Sequence, residues 1–499
     1  MEGRTMRKRI IYLALLAFLA LSCNPNQLEQ PSGKSTVHVA LDVSLEQTKA
    51  LSADEDGITA GFAAGDKLYV FAKESASGVA SDEYLGTLTN SQEHLNQFHG
   101  DLTVGYTASG DYKVSLYYNQ RDVEKLKTGD KPAANMMILG ASGYREQTKG
   151  TLADIAKNFD IAKGESTLHF VKETNTLSFN GPATLKANQA ILKFTFCLAA
   201  SGQPMDIKEV AFYYGRFDNT GKSTAEPIIE ASLTDGTSRQ DYFVALAGSD
   251  PVDKEHRYLM TFIVTAEDNK QYWGYKLLPQ GFLPGKSYKS NVYLEKYDEM
   301  ALVDLGLSVA WYNINATSSY GIVGSYDAVE HNGEDYARLQ VWSPGIDTRS
   351  DWPSMDQYKE LLNNTSHEWL PLNIVDGYVF RSKKTGFTNR FIYFPSCDVV
   401  ANQGKKPEDD LKNGYSGHYW TSSYIKRERM PDTTIEFYFD GPRNGTDNDF
   451  DSGSLKLVVG NRNYAMSLRK IGPLSAVPPV EGAYTTNDGY NEGAIEEWN

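Results

Sequence analysis

Val37, Val39, Leu41 and Val43 alternate with polar residues, a period of two that predicts a half-buried β-strand. Similar short runs recur at Leu68–Ala72, Asp111–Tyr118 and Thr167–Val171. They continue at Ile191–Leu198, Val210–Tyr214, Tyr242–Leu246, Tyr258–Thr265, Lys270–Leu278 and Ser290–Glu295. Turn signals such as Ala64-Gly65-Asp66 and Ser109-Gly110-Asp111 separate them. This is the rhythm of β-sandwiches. One short helix interrupts it: Thr151 is placed to cap Leu152–Phe159, and Leu152, Ile155 and Phe159 share a face. A second helix is predicted after Ser354, where Gln357 completes a capping box and Met355, Tyr358 and Leu362 line one side.

The one long apolar run, Ile10–Leu21, follows Arg7, Lys8 and Arg9 and leads into Ala20-Leu21-Ser22-Cys23. A basic start, a short apolar core and small residues make a signal peptide over 1–22. The core is too short for a permanent membrane helix. With Cys23 directly after the small residues, the segment resembles a bacterial lipoprotein lipobox, although Ala20 stands where Leu is usual. The resemblance implies cleavage before Cys23 and acylation, palmitate included, of its thiol and new amino group. Outer-membrane lipid is then a partner, and 23–35 is a polar tether. An ordinary secretory signal with a chance cysteine is the alternative.

The formal charge is −15. The signal carries Arg4, Arg7, Lys8 and Arg9 against Glu2, a net of +3, so the mature chain stands at −18. That argues against nucleic acid and anionic headgroups as partners. Beyond Cys23 only Cys197 and Cys397 remain, each in an apolar strand-like run. They read as core residues, with no disulfide framework or cysteine metal site.

Phe62-Ala63-Ala64-Gly65-Asp66-Lys67-Leu68-Tyr69-Val70-Phe71 resembles the "F-x-x-G-D-x-I-x-V" strand of fimbrillin-like lipoproteins of Bacteroidetes. Thr48-Lys49-Ala50, Ala190-Ile191-Leu192-Lys193-Phe194 and Pro284-Gly285-Lys286-Ser287-Tyr288 fit the same family in order. The resemblance covers 36–297 and implies two tandem transthyretin-like β-sandwiches, over 36–185 and 186–298. Stalk subunits of this family are cut at an arginine near the first strand. Here no arginine lies between Cys23 and Arg121, which argues against that route.

Residues 301–471 change character: Trp311, Trp342, Trp352, Trp369 and Trp420 all fall here. The series Val303-Asp304-Leu305-Gly306-Leu307, Trp352-Pro353-Ser354, Phe391-Ile392-Tyr393-Phe394-Pro395 and Gly417-His418-Tyr419-Trp420-Thr421-Ser422-Ser423 resembles the major paralogous domain of Bacteroidetes and Fibrobacter surface proteins. It implies an α+β fold akin to C-type lectins. The whole chain is thus expected to be mainly β, with two sandwiches, a lectin-like domain and a disordered tail over 472–499.

No H-E-x-x-H, G-x-S-x-G or phosphate loop is present, and an enzyme is not expected. Formylglycine-generating enzymes share the lectin-like fold but use cysteines, and Cys397 stands alone in its domain. Asp447-Asn448-Asp449-Phe450-Asp451 alternates carboxylates as calcium loops do. Either Ca2+ is held by Asp447, Asp449 and Asp451, or the loop is solvated and acidic; the EF-hand pattern fails at Val458. Trp352 and Trp420, if exposed, suit a sugar face, with Asp440, Arg443 and Asn444 as polar partners; both indoles also fit a core.

These readings lead to a surface-exposed outer-membrane lipoprotein, a fimbrial tip or accessory subunit acting as an adhesin. Its partners would be fimbrial subunits and a host or microbial glycan or protein. A stand-alone glycan-binding lipoprotein of a nutrient-uptake system is the other reading.

Overall fold

The computed structural model describes residues 34–45, 49–54, 57–76, 78–119, 127–129, 131–137, 139, 141–218, 229–248, 256–278, 281–297, 301–313, 340–341, 350–370, 377–396, 400–401, 416–425, 433–441, 455–460, 464–466, 468–479 and 496–497. It is mainly β. No described helix is long and apolar enough to cross a membrane. Cys23 and Cys397 lie outside the described residues.

The first core is built by β1 (Ser35–Leu45), β2 (Lys67–Ala72), β3 (Tyr84–Asn90), β4 (Gln97–Val104), β5 (Gly110–Asn119), β6 (Ile161–Val171), β7 (Thr176–Phe179) and β8 (Ala183–Ala187). Their order is β7-β6-β8-β1-β4-β3-β2-β5, and β5 pairs again with β6, which closes the sheet on itself. Only β1 and β8 run parallel, with Val43 opposite Ala183. Along β1 the alternation works as expected: Val39, Leu41 and Val43 are buried. The Gly-Asp motif before β2 is a turn. Gly65 has φ +87°, open to glycine without strain. The Asp66 carboxylate accepts from the Ala63 amide at 2.7 Å and the Tyr118 hydroxyl at 2.8 Å. Phe62 packs edge-on against Phe98 and Tyr118.

The second core is built by β9 (Gln189–Leu198), β10 (Ile207–Asp218), β11 (Ile229–Leu233), β12 (Asp241–Ala247), β13 (His256–Ala266), β14 (Gln271–Leu278) and β15 (Ser287–Lys296). The order is β11-β10-β13-β14-β15-β9-β12. β14 and β15 meet only at Tyr272–Lys296 and Trp273–Glu295, so the sheet divides there into two halves. Phe194 and Phe196 of one half pack with Phe212 and Phe262 of the other. Helix α1 (Leu152–Asn158) is capped as predicted: the Asp154 amide donates to Thr151 Oγ1 at 3.1 Å. Its Ile155, with Tyr144 and Phe159, belongs to this second core. Cys197 is buried as expected.

The third core is aromatic, with Trp311, Tyr358, Phe380, Phe394, Tyr419 and Phe437 at its centre. Helix α2 (Met355–Asn364) carries the predicted capping box between Ser354 and Gln357. Strands β16 (Leu302–Val303), β17 (Ala310–Tyr312), β18 (Thr365–Leu370), β19 (Gly377–Ser382), β20 (Phe391–Pro395), β21 (Ser416–Ile425), β22 (Thr433–Asp440), β23 (Leu455–Gly460) and β24 (Ile471–Gly472) form small sheets around it. These are β16-β17-β24, β18-β19-β20 and β21-β22-β23. Trp311 of β17 lies opposite Ile471 of β24, so the ends of this unit close on each other. Arg469 is fully buried. Its guanidinium donates to the Tyr312 carbonyl at 3.1 Å and to the Tyr393 carbonyl, and lies over the Phe394 ring.

The expected disordered tail needs correction where it is described. Leu474–Ala476 makes a 3-10 turn, and β25 (Glu496–Glu497) pairs with Tyr288 and Lys289 of β15. A polar tail acquires order here because a sheet edge supplies backbone partners.

Candidate functional site

Two of the predicted ligand residues must be withdrawn. Trp420 is 0% exposed and Trp352 is 3% exposed, so neither indole offers a face to a sugar. Trp352 sits at the entry to α2, where the Ser422 amide donates to the Pro353 carbonyl and the Met355 amide donates to Ser423 Oγ. Helix and β21 close over that corner. Asp440 ends β22, in register with Ser416. Arg443, Asn444, Asp447, Asp449 and Asp451 lie outside the described residues. Among the described residues no group of three or more His, Cys, Asp or Glu side chains is placed to hold a metal.

The β21-β22-β23 sheet instead brings together residues that sequence reasoning passed over. Strand alternation puts Tyr419, Phe437 and Phe439 into the core, with Leu455 and Leu457 packed against them. The opposite parity carries His418 across from Tyr438 and Tyr438 across from Lys456. On the next rung, Trp420 faces Glu436 and Glu436 faces Val458. The His418 and Tyr438 rings lie 4.8 Å apart, and Lys456 Nζ is 5.1 Å from the Tyr438 centroid. His418 Nδ1 is 3.5 Å from Glu436 Oε1. Glu436 is buried at 7% exposure, and its Oε2 has no hydrogen-bond partner. Lys456 is exposed.

This side of the sheet carries a buried carboxylate, an imidazole beside a phenol ring, and an exposed lysine over that phenol. A carboxylate held in a sheet without filling its acceptor positions is costly. The alternation of Ile435, Phe437 and Phe439 with Glu436 and Tyr438 was the signal available in the sequence: it puts a carboxylate and a phenol on the face away from the core.

The third unit is locked to the second. Arg390 Nε donates to Glu295 Oε1 at 2.6 Å, with side chains only 10% and 7% exposed. Arg381 Nε donates to the Tyr275 hydroxyl at 3.2 Å, and its guanidinium lies over the Tyr275 and Phe391 rings. Leu259, Trp273 and Tyr275 share an apolar cluster with Leu370, Val379, Phe391 and Tyr393. Asn313 Nδ2 donates to the Lys296 carbonyl at 2.8 Å. Burial holds Glu295 above the usual carboxylate range, because desolvation outweighs the attraction of Arg390. Lys276, buried behind this joint, is pushed down to about 7 by desolvation and then by the nearby Arg381 charge.

No family model and no curated protein matches the chain. Similar solved structures include a fimbrial assembly protein from Parabacteroides distasonis, 15% identical, covering 53% of this chain and 96% of that one, with a TM-score of 0.28. Another is the tip fimbrial protein Mfa3 from Porphyromonas gingivalis with C-terminal truncation, 8% identical, covering 52% and 98%, with a TM-score of 0.27. A fimbrial protein from Bacteroides ovatus is 13% identical and covers 87% and 99%, with a TM-score of 0.25.

Proposed function

We propose that this chain is a lipid-anchored surface adhesin, a fimbrial tip or accessory subunit. In this reading Cys23 carries the lipid, and two transthyretin-like sandwiches over 36–185 and 186–298 form the shaft. The lectin-like unit over 301–471 meets a host or microbial ligand and does no chemistry on it. The observation that carries the reading is the polar rung His418–Tyr438–Lys456 above buried Glu436, on a unit fixed to the sandwich by the Glu295–Arg390 pair. A binding face on a rigid joint can bear load between an anchored cell and its target. The motif order in 301–471 supports a surface role. The test is adherence of bacteria displaying the full chain to mucin-coated surfaces, with and without Lys456→Met and Glu436→Gln at matched surface amounts.

One observation favours the second reading, a stand-alone glycan-binding lipoprotein. The outer edge of β12 is occupied: the Phe243 amide donates to the Gly150 carbonyl, and the Ala245 amide donates to Gln147 Oε1 at 2.7 Å. Part of the β15 edge is taken by β25. Edges already paired within the chain are closed to strand addition by a neighbour. Copurification with fimbriae supports the subunit reading; a purely monomeric protein supports the other.

A further inference from the structure

Strands β7 and β8 lie end to end along one edge of β6, with Phe179 opposite Leu168 and Leu185 opposite Gly164. Strand β5 takes the other edge of β6 from Ile161 to Phe170. Between those rungs β6 has Glu165, Ser166 and Thr167, whereas the facing side has Asn180 to Thr184. The longer side therefore bows out of the ladder. Asn180, Gly181 and Pro182 belong to neither strand and are exposed. Gly181 has φ +96°, and nothing lies within 4 Å of the point where a Cβ would stand. Among the described residues Asn180 is the only asparagine followed by glycine. We propose that Asn180 is a site of spontaneous deamidation, where ageing of the protein replaces a side-chain amide with a carboxylate. The proposal is independent of what the third unit binds.

The Gly181 amide nitrogen attacks Asn180 Cγ and gives up its proton. The new N–Cγ bond closes a succinimide, the Cγ–Nδ2 bond breaks, and Nδ2 leaves with that proton as ammonia. Solvent water then adds across either ring C–N bond, OH to carbon and H to nitrogen, giving isoaspartate or aspartate. A glycine at the attacking position has no side chain to shield its nitrogen. The neighbours decide what the change does. Asn180 Nδ2 donates to Asp111 Oδ1 at 3.2 Å, and Asp111 is paired with His169 Nδ1 at 2.7 Å. These two partners, His169 first, hold the Asp111 carboxyl below the usual carboxylate range. The product puts an acceptor where the donor was, carboxylate against carboxylate, and the tie from the turn across β6 to β5 is lost. Isoaspartate also adds Cβ to the main chain. The same hydrogen bond restrains the amide, so the reaction proceeds when the turn opens.

The experiment is incubation of the mature full-length protein in mildly alkaline buffer, followed by peptide mass mapping and isoaspartyl-methyltransferase labelling over time. Asn175 and Asn269 are internal controls: both are exposed at positive φ, and a side chain follows each, on Thr176 and Lys270. The proposal expects Asn180 to gain the amide-to-acid mass several-fold faster than either control, in part as isoaspartate. It expects Gly181→Ala to slow the conversion several-fold. Alanine is strained at this φ, so the comparison within the unaltered chain stands whether or not that variant folds. Asn180→Asp, which reproduces one product, should speed hydrogen exchange at the end of β7. Conversion at Asn180 no faster than at Asn175 and Asn269, or conversion without any isoaspartate, overturns the site. Exchange in Asn180→Asp equal to that of the unaltered chain overturns the loosening of the turn.

Discussion

The Arg390 guanidinium closes on the Glu295 carboxylate across the joint between the second and third cores, 2.6 Å from Nε to Oε1. Glu295 sits on β15 opposite Trp273 of β14, whose ring packs edge-on against Phe391. The ion pair and the aromatic cluster therefore brace the same seam. Removing one partner leaves the other buried and uncompensated, so Arg390→Ala should destabilise the joint by roughly 3–5 kcal/mol. Limited proteolysis and thermal unfolding, read together, should show the third unit released or melting earlier while the first core persists.

Lys276 gives that joint a pH dependence. Its folded-state pKa is about 7, against 10.5 for an unburied lysine. Between those values the unfolded chain holds a proton that the folded protein has released. Unfolding then takes up a proton, and this group's contribution to stability rises with pH across that window. Below pH 7 the charge stays buried and its full cost remains. Lys276→Met should raise the melting temperature at pH 6 by more than at pH 10, by the equivalent of ~2 kcal/mol or more. Scans of both proteins at the two pH values check the sign.

The Gly-Asp turn before β2 is a stability element. Asp66→Ala would strip acceptors from the Ala63 amide and the buried Tyr118 hydroxyl. The expected cost is about 2 kcal/mol, localised to the first core and visible as faster hydrogen exchange in β2 and β5.

Much of this architecture was legible in the residues. The ten strands read from alternation all form, and both helix caps form as read, because alternation and capping are local. Strands β3, β4, β7, β8 and β11 were not read; in β4, Gln97–Val104, Gly100 and Asp101 break the apolar period, and the strand is held by long-range pairing with β1. The site was misread for a related reason. Tryptophans attract a sugar hypothesis, yet the Trp420 and Trp352 indoles are both buried. Glu436 gave only its parity in a strand, and its neighbours His418 and Lys456 come from strands paired across long sequence separations. The joint was not legible either, since Glu295, Arg381 and Arg390 look like surface charges in the sequence.

Cys23 makes the anchor testable apart from the fold. Cys23→Ala should abolish incorporation of labelled palmitate and move the protein from the membrane fraction to the soluble one. Unchanged labelling would rule out the lipobox reading.

The proposed adhesive surface is the β21-β22-β23 sheet face of the third unit. The most direct measurement is adherence of cells displaying the full chain with Lys456→Met and Glu436→Gln combined, against the unaltered chain at equal surface density. The account predicts adherence falling to the level of cells without the protein. Adherence equal to that of the unaltered chain would contradict it.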